Sequence, residues 1–295
     1  MKQVLTPIFA LLTPFDSSGK IDFHALTDYL SFLEEKGVNT ILTNGTTGEF
    51  PSLSLAERMK ILEHSREKFH GTILNHISSC CVSECVQLAQ HAKEYAQALV
   101  LLPPYYYANS PQQGILNFFR AVLQQVDFPI YLYHFPKHTK NVITLYMLSM
   151  LLRDHPHLLG IKDSEAHLEN CLQFKTLQGG GFQVFVGGDS VALEVLRRGL
   201  DGSVTGGSNP FPELLIAMTR CFQSGDLEGA MIHQASLEMW SAFRKQNNLG
   251  EIPLTKIAMR SRISHFPLFV RPPLRELDED ESIKLFIKNK ILSLI

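Results

Sequence analysis

The chain has 295 residues, of which 45% are hydrophobic and 19% charged, and a formal net charge of -2. That length and apolar fraction suffice for a large core, and the near-neutral charge gives no electrostatic footing for nucleic acid or an anionic membrane. No apolar run approaches a membrane span and Met1-Lys2-Gln3-Val4-Leu5-Thr6-Pro7 lacks the apolar stretch of a signal peptide, so a soluble, cytoplasmic protein is expected.

Short apolar runs then alternate with amphipathic stretches. The runs at 7–12 and 39–44 read as strands, with helical spacing over 23–35 after the first and over 54–69 after the second. The stretch 54–69 opens on Ser54-Leu55-Ala56-Glu57, the spelling of a capping box. Strand-like runs follow at 72–79, 98–103, 129–135, 158–164, 183–187 and 202–205, rich in Val, Ile, Leu or Tyr and often closed by Gly, Pro or Asn. The stretches 85–97, 111–125, 145–153, 166–177, 191–198 and 212–222 carry apolar residues at helical spacing. Strict alternation implies a parallel sheet, and eight such units in residues 1–225 predict an α/β fold, the (β/α)8 TIM barrel. Residues 226–295 read as a C-terminal helical extension, with helices expected at 226–246, 251–264 and 280–294 and a break at Arg271-Pro272-Pro273.

The five cysteines, Cys80, Cys81, Cys85, Cys171 and Cys221, are an odd number without zinc-ligand spacing, so buried, reduced thiols are expected. The twelve histidines show no His-x-x-x-His pair in a metal-binding context, so no metal is expected.

Barrel enzymes work at the C-terminal ends of their strands, which makes those ends informative. Lys162 closes the apolar run Leu158-Leu159-Gly160-Ile161. A lysine there either snorkels its head to water or is desolvated, spends part of its time neutral and attacks a ketone to form a Schiff base. The second run ends in Asn44-Gly45-Thr46-Thr47-Gly48-Glu49, either an ordinary turn or a set of donors for a carboxylate. Pro103-Pro104-Tyr105-Tyr106-Tyr107 follows the fourth run as a packing cluster or a source of a proton-carrying phenol. In the fifth run, alternation puts Tyr131 and Tyr133 on one face, with Tyr133 nearer the catalytic end. Gly187-Gly188-Asp189 closes the seventh run, and Val204-Thr205-Gly206-Gly207-Ser208-Asn209 the eighth. Lysine, hydroxyls and tyrosines around one mouth suit imine chemistry on a small keto acid, with a tyrosine moving protons.

Gly45-Thr46-Thr47-Gly48-Glu49, Tyr131-Leu132-Tyr133 with Pro136 beyond, and Gly160-Ile161-Lys162-Asp163 occur in one order and spacing. Together they resemble the N-acetylneuraminate lyase and dihydrodipicolinate synthase superfamily of pyruvate-dependent class I aldolases, over essentially the whole chain. The resemblance implies Lys162 as the Schiff-base lysine, Tyr133 as the proton relay and Thr46 as its link to a second tyrosine. That second tyrosine, Tyr106 with Tyr105 as the alternative, is lent across a dimer interface in the family. Thr47, with the Gly48 amide beside it, would bind the pyruvate carboxylate, and the Val204 carbonyl would face the lysine. No cofactor beyond the covalent lysine–pyruvate imine is implied, and the partners are pyruvate, an aldehyde and further copies of the chain in a homo-oligomer, a dimer or tetramer.

Dihydrodipicolinate synthases usually carry an arginine where this chain has His138, with Lys137 beside it. The 2-keto-3-deoxygluconate aldolases are more similar, sharing Pro51-Ser52-Leu53-Ser54, Pro104-Tyr105-Tyr106-Tyr107 and Gly207-Ser208-Asn209. In that reading Ser164, Gly187 and Asp189 face sugar hydroxyls. The leading expectation is reversible cleavage of a 2-keto-3-deoxy sugar acid to pyruvate and an aldehyde. The alternative is dihydrodipicolinate synthesis from pyruvate and aspartate semialdehyde. A sensor that binds keto acids without turnover would be expected to lack one of Lys162, Tyr133, Thr46 or Thr47, and all four are present.

Overall fold

The computed structural model describes residues 6–177, 181–247, 250–277 and 281–294. Eight strands, β1 (Ile8–Ala10), β2 (Thr40–Thr43), β3 (Thr72–His76), β4 (Ala98–Leu101), β5 (Ile130–His134), β6 (Leu158–Asp163), β7 (Gln183–Gly187) and β8 (Gly202–Thr205), pair in parallel in chain order. β1 also pairs with β8, Ile8 opposite Val204, so the sheet closes. Helices lie between the strands, and the predicted TIM barrel is the observed fold.

The period-two pattern of the strands sorts their side chains into two cores. Ile8, Ala10, Leu42, Leu74, Val100, Tyr131, Tyr133, Phe185 and Val204 fill the barrel interior. Their neighbours Phe9, Ile41, Ile73, Leu99, Leu132, Ile161 and Val184 point outward and pack under the helices. Tyr131 and Tyr133 share the inner face, as alternation predicts. The Ser54 capping box forms as well: Ser54 Oγ accepts the Glu57 N–H at 3.3 Å, and Glu57 Oε2 accepts the Ser54 N–H at 2.9 Å.

β7 and β8 match their predicted runs, and the other six strands are shorter than theirs, their end residues passing into the flanking loops. An additional short helix, Pro136–Thr139, follows β5 directly. Proline supplies the dihedral of a first helical turn there, in a stretch too short to show a period. Cys85 and Cys171 are buried as expected, whereas Cys80 and Cys81 are exposed on the loop after β3 and Cys221 is partly so. Cys80 and Cys81 lie where the chain leaves β3, beyond the apolar pattern, and Cys221 lies near the end of helix Pro212–Gln223.

After the barrel come helices Leu227–Gln246, Glu251–Arg260 and Glu281–Phe286, the last continuing in a π turn over Ile287–Ile291. Asp280, placed at the start of the last predicted helix, lies outside the described residues. Three polar contacts of this extension fall on the mouth of the barrel. Trp240 Nε1 donates to the Gly207 carbonyl at 2.7 Å, Arg244 pairs with Asp189 at 2.7 Å, and Lys256 pairs with Glu49 at 2.7 Å. Among the described residues no helix is long and apolar enough to cross a membrane.

Candidate active site

Lys162 and Tyr133 occupy one rung of the barrel, opposite each other in the β5–β6 register. Both point inward near the C-terminal strand ends. The Lys162 Nζ stands 4.1 Å from the centroid of the Tyr133 ring. Lys162 is 8% exposed, and among the described residues no carboxylate pairs with it. Burying an ammonium without a counter-ion is costly, which separates Lys162 from the snorkelling alternative. The Ser164 hydroxyl, two residues on, donates to the Tyr133 hydroxyl at 3.3 Å. Gly187 makes room for it: a Cβ on Gly187 would fall 2.3 Å from Ser164 Oγ.

The turn after β2 closes the other side. Asn44 and Glu49 bracket it with left-handed backbone, φ 57° and 59°. Side-chain bonds hold Asn44 in that conformation, its Nδ2 donating to Asn75 Oδ1 at 2.8 Å and to the Arg58 carbonyl at 2.9 Å. Glu49 is held by Lys256 and by the Arg271 N–H at 3.0 Å. Between them, the Gly48 N–H bonds the Gly45 carbonyl at 3.0 Å, and the Gly48 carbonyl accepts from Thr13 Oγ1 at 2.7 Å. Thr46 and Thr47 remain partly exposed on the turn. Thr47 leans on the loop after β8, where a Cβ on Gly206 would fall 2.0 Å from its Oγ1.

The remaining expected residues are distributed unevenly. Val204 lines the interior beside Gly187, and its carbonyl lies 3.4 Å from the Gly188 N–H. Tyr106 is 79% exposed and packs edge-on against Tyr107 rather than against the lysine of its own chain. Tyr105 is half-buried, with its ring on Phe50 at 5.5 Å, and burial raises its phenol pKa. Asp189 is used differently from the expectation that it faces a substrate hydroxyl. It is 2% exposed; Oδ1 accepts from Thr205 and Oδ2 pairs with Arg244 at 2.7 Å. Both oxygens are thus engaged, Oδ1 within the barrel by β8 and Oδ2 by the extension.

Sequence reasoning passed over His76. It lies two residues after Leu74 on β3, so alternation places it inside the barrel. Its ring meets Tyr133 at 6.0 Å and Phe50 at 4.5 Å, fully buried. Ser78 Oγ accepts the Leu102 N–H at 2.7 Å and shares a hydrogen bond of 2.8 Å with His76 Nε2. Burial, and then the positive charges of Arg58 and Lys162, hold the imidazole well below its ordinary pKa, so it is neutral. A neutral histidine, two phenols and a buried amine thus share one apolar mouth with a hydroxyl-bearing turn. The arrangement can attack a carbonyl, move a proton beside it and bond an anionic group.

Comparison with known proteins agrees. Residues 3–290 match the Dihydrodipicolinate synthetase family. A DapA-like lyase of Pyrococcus horikoshii, itself uncharacterized, is 37% identical over 289 residues, covering 96% of this chain and 98% of its own length. A probable 2-dehydro-3-deoxy-D-pentonate aldolase of Escherichia coli is 28% identical over 294 residues, 97% of each chain. Among solved structures, the 2-keto-3-deoxygluconate aldolase of Picrophilus torridus superposes with a TM-score of 0.85 at 24% identity, covering 92% of this chain and 98% of that one. With nearly its whole length matched, the chain belongs to the dihydrodipicolinate synthetase family and is an enzyme of its lyase and aldolase kind.

Proposed function

We propose that this chain is a class I aldolase that reversibly cleaves a 2-keto-3-deoxy sugar acid to pyruvate and an uncharged aldehyde. The observation that carries the reading is Lys162, buried without a counter-ion among the described residues and set against Tyr133. The Lys162 amine attacks the C2 ketone to give a carbinolamine. Tyr133 hands a proton to the departing hydroxyl, water leaves, and a protonated imine remains. The Tyr133 phenolate takes the C4 hydroxyl proton, the C3–C4 bond breaks, and the electron pair flows to the imine nitrogen. The aldehyde departs, the resulting enamine takes a proton at C3, and water hydrolyses the imine to release pyruvate and the lysine. The imine is the electron sink, so the scheme uses no separate cofactor.

Thr47 is assigned to the carboxylate and Thr46 to the relay from Tyr133; the Gly48 N–H, expected beside Thr47 at the carboxylate, is instead taken up by the Gly45 carbonyl within the turn. Tyr106 of the partner subunit would complete that relay in a homo-oligomer, a role that its exposure on its own chain supports. Ser164 is assigned to a sugar hydroxyl, a role that its bond to Tyr133 supports. The Val204 carbonyl and Gly187 form the wall facing it.

The charge census favours an uncharged aldehyde. Four cations are buried among the described residues: Arg58, Lys162, Arg244 and Lys256. Arg58 donates to the carbonyls of Ser78 and His76, and Arg244 and Lys256 have carboxylate partners. His138 packs edge-on against Phe135 at 4.2 Å, and Phe135 stacks on Tyr133. Partial burial and the charge of Lys137 lower its pKa, so it is uncharged at neutral pH and offers a second carboxylate no fixed positive charge. Assay of pyruvate release from 2-keto-3-deoxygluconate, set against condensation of pyruvate with aspartate semialdehyde, tests the choice. Faster turnover of the sugar acid is expected; preference for the semialdehyde would replace this reading with dihydrodipicolinate synthesis.

A further inference from the structure

Outside the active-site residues, one group of side chains has the composition of a metal site. His24 and Asp28 lie one turn apart on helix Phe23–Glu35, and His265 follows helix Glu251–Arg260. His24 Nδ1 is 3.2 Å from Asp28 Oδ2, and His265 Nε2 is 2.7 Å from the same oxygen. The three donor atoms all lie within 4.8 Å of one another. A tetrahedral zinc ion with bonds of about 2.0–2.1 Å separates its ligand atoms by about 3.3 Å. The contacts therefore need to open or close by tenths of an ångström to at most about 1.5 Å, on side chains at least partly open to solvent.

The backbones that present these donors are preset. Tyr29 and Phe266, the residues next to Asp28 and His265, are fully buried and pack edge-to-face at 5.6 Å. This aromatic contact joins the first helix to the C-terminal segment and fixes where the exposed neighbours emerge. Donors carried on positions held by buried packing lose little freedom when they gather around an ion. Two imidazoles and a carboxylate leave open positions for water, and that donor set suits zinc, copper or nickel rather than calcium or magnesium.

We propose that His24, Asp28 and His265 form a surface site for a divalent transition-metal ion that clasps the first helix to the C-terminal segment. The site is independent of the imine chemistry. The spacing along the chain hid it, since His265 and Asp28 are 237 residues apart. The competing reading is that Asp28 simply accepts hydrogen bonds from both imidazoles.

The test is titration of zinc chloride into the full-length protein, stripped beforehand with a chelator, followed by calorimetry and by the shift in thermal midpoint. The same titration is made with His24→Ala, Asp28→Asn and His265→Ala; all three side chains are at least partly exposed, and the variants are expected to fold. The site predicts saturable binding of one ion per chain, weakened about tenfold or more by each substitution. It also predicts a zinc-dependent rise in the midpoint that the variants lose, because an ion bound only to the folded state stabilises it. Absence of saturable binding in the unsubstituted protein would overturn the proposal. So would equal binding by all three variants, which would move the ion elsewhere, the exposed thiols of Cys80 and Cys81 being the first place to look.

Discussion

Replacing Lys256 with methionine should strip the turn beside Thr46 and Thr47 of its main support. Lys256 is fully buried, and its Nζ donates to Glu49 Oε1 at 2.7 Å and to the Phe269 carbonyl at 2.6 Å. Methionine keeps the volume and leaves the Glu49 carboxylate buried with only the Arg271 N–H at 3.0 Å. Breaking a buried pair from one side costs about 3–5 kcal/mol, because the remaining charge is uncompensated. Removing the whole pair is different. Desolvation lowers the Lys256 pKa in spite of Glu49, so burying the ammonium is not fully compensated by its partner. Glu49→Gln combined with Lys256→Met should accordingly recover most of the loss. The chain's single tryptophan, Trp240, is buried in the extension, and its fluorescence reports unfolding. Urea titrations at one protein concentration give the midpoints, with the slope checked for constancy. A single variant within ~1 kcal/mol of the parent, or a double variant no better than the single, would refute the reasoning.

Other consequences are as direct. Tyr133→Phe keeps the ring against Lys162 and removes the proton, so turnover should fall about 10²–10⁴-fold, the range for general acid–base groups; a near-parental rate in a pyruvate-release assay would remove its role. Gly206→Ala forces a methyl to within 2.0 Å of where Thr47 Oγ1 now lies. It should raise KM for pyruvate about tenfold, equivalent to ~1.4 kcal/mol, with a smaller change in kcat; an unchanged KM in the condensation direction would detach Thr47 from the carboxylate. Arg271 holds the Glu57 carboxyl down to about 2, from an ordinary 4.5. A depressed carboxylate stabilises the fold above its unfolded pKa and loses that contribution as pH falls through its folded one. Glu57 is partly exposed and its pair with Arg271 lies near the surface, so Glu57→Gln should cost no more than about 1 kcal/mol at pH 7, and the difference should fade between about pH 4.5 and 2 in urea melts; a difference independent of pH would contradict the pairing.

The fold was legible because each strand states its own period. Tyr131 and Tyr133 show it on β5, and the same rule extended from Leu74 would have found His76 inside the mouth. Lys162 was legible because a lysine closing an apolar run is unusual wherever it occurs. The supports of the site were not legible. Arg244 meets Asp189 across 55 residues of sequence and Lys256 meets Glu49 across 207, and no local pattern carries such pairings. For the same reason Asp189, at a strand end, read as substrate-facing when the C-terminal extension supplies an arginine to engage it. Tyr106 was named by the family resemblance alone, and on its own chain its ring is exposed and packs on Tyr107.

The most direct test of the central claim is mass spectrometry of the folded protein after incubation with excess pyruvate and borohydride, followed by peptide mapping. Reduction of a lysine imine would leave a stable adduct, and this account places it on Lys162, absent from Lys162→Ala. No adduct, or one on another lysine, would contradict the imine mechanism and turn attention to binding without turnover.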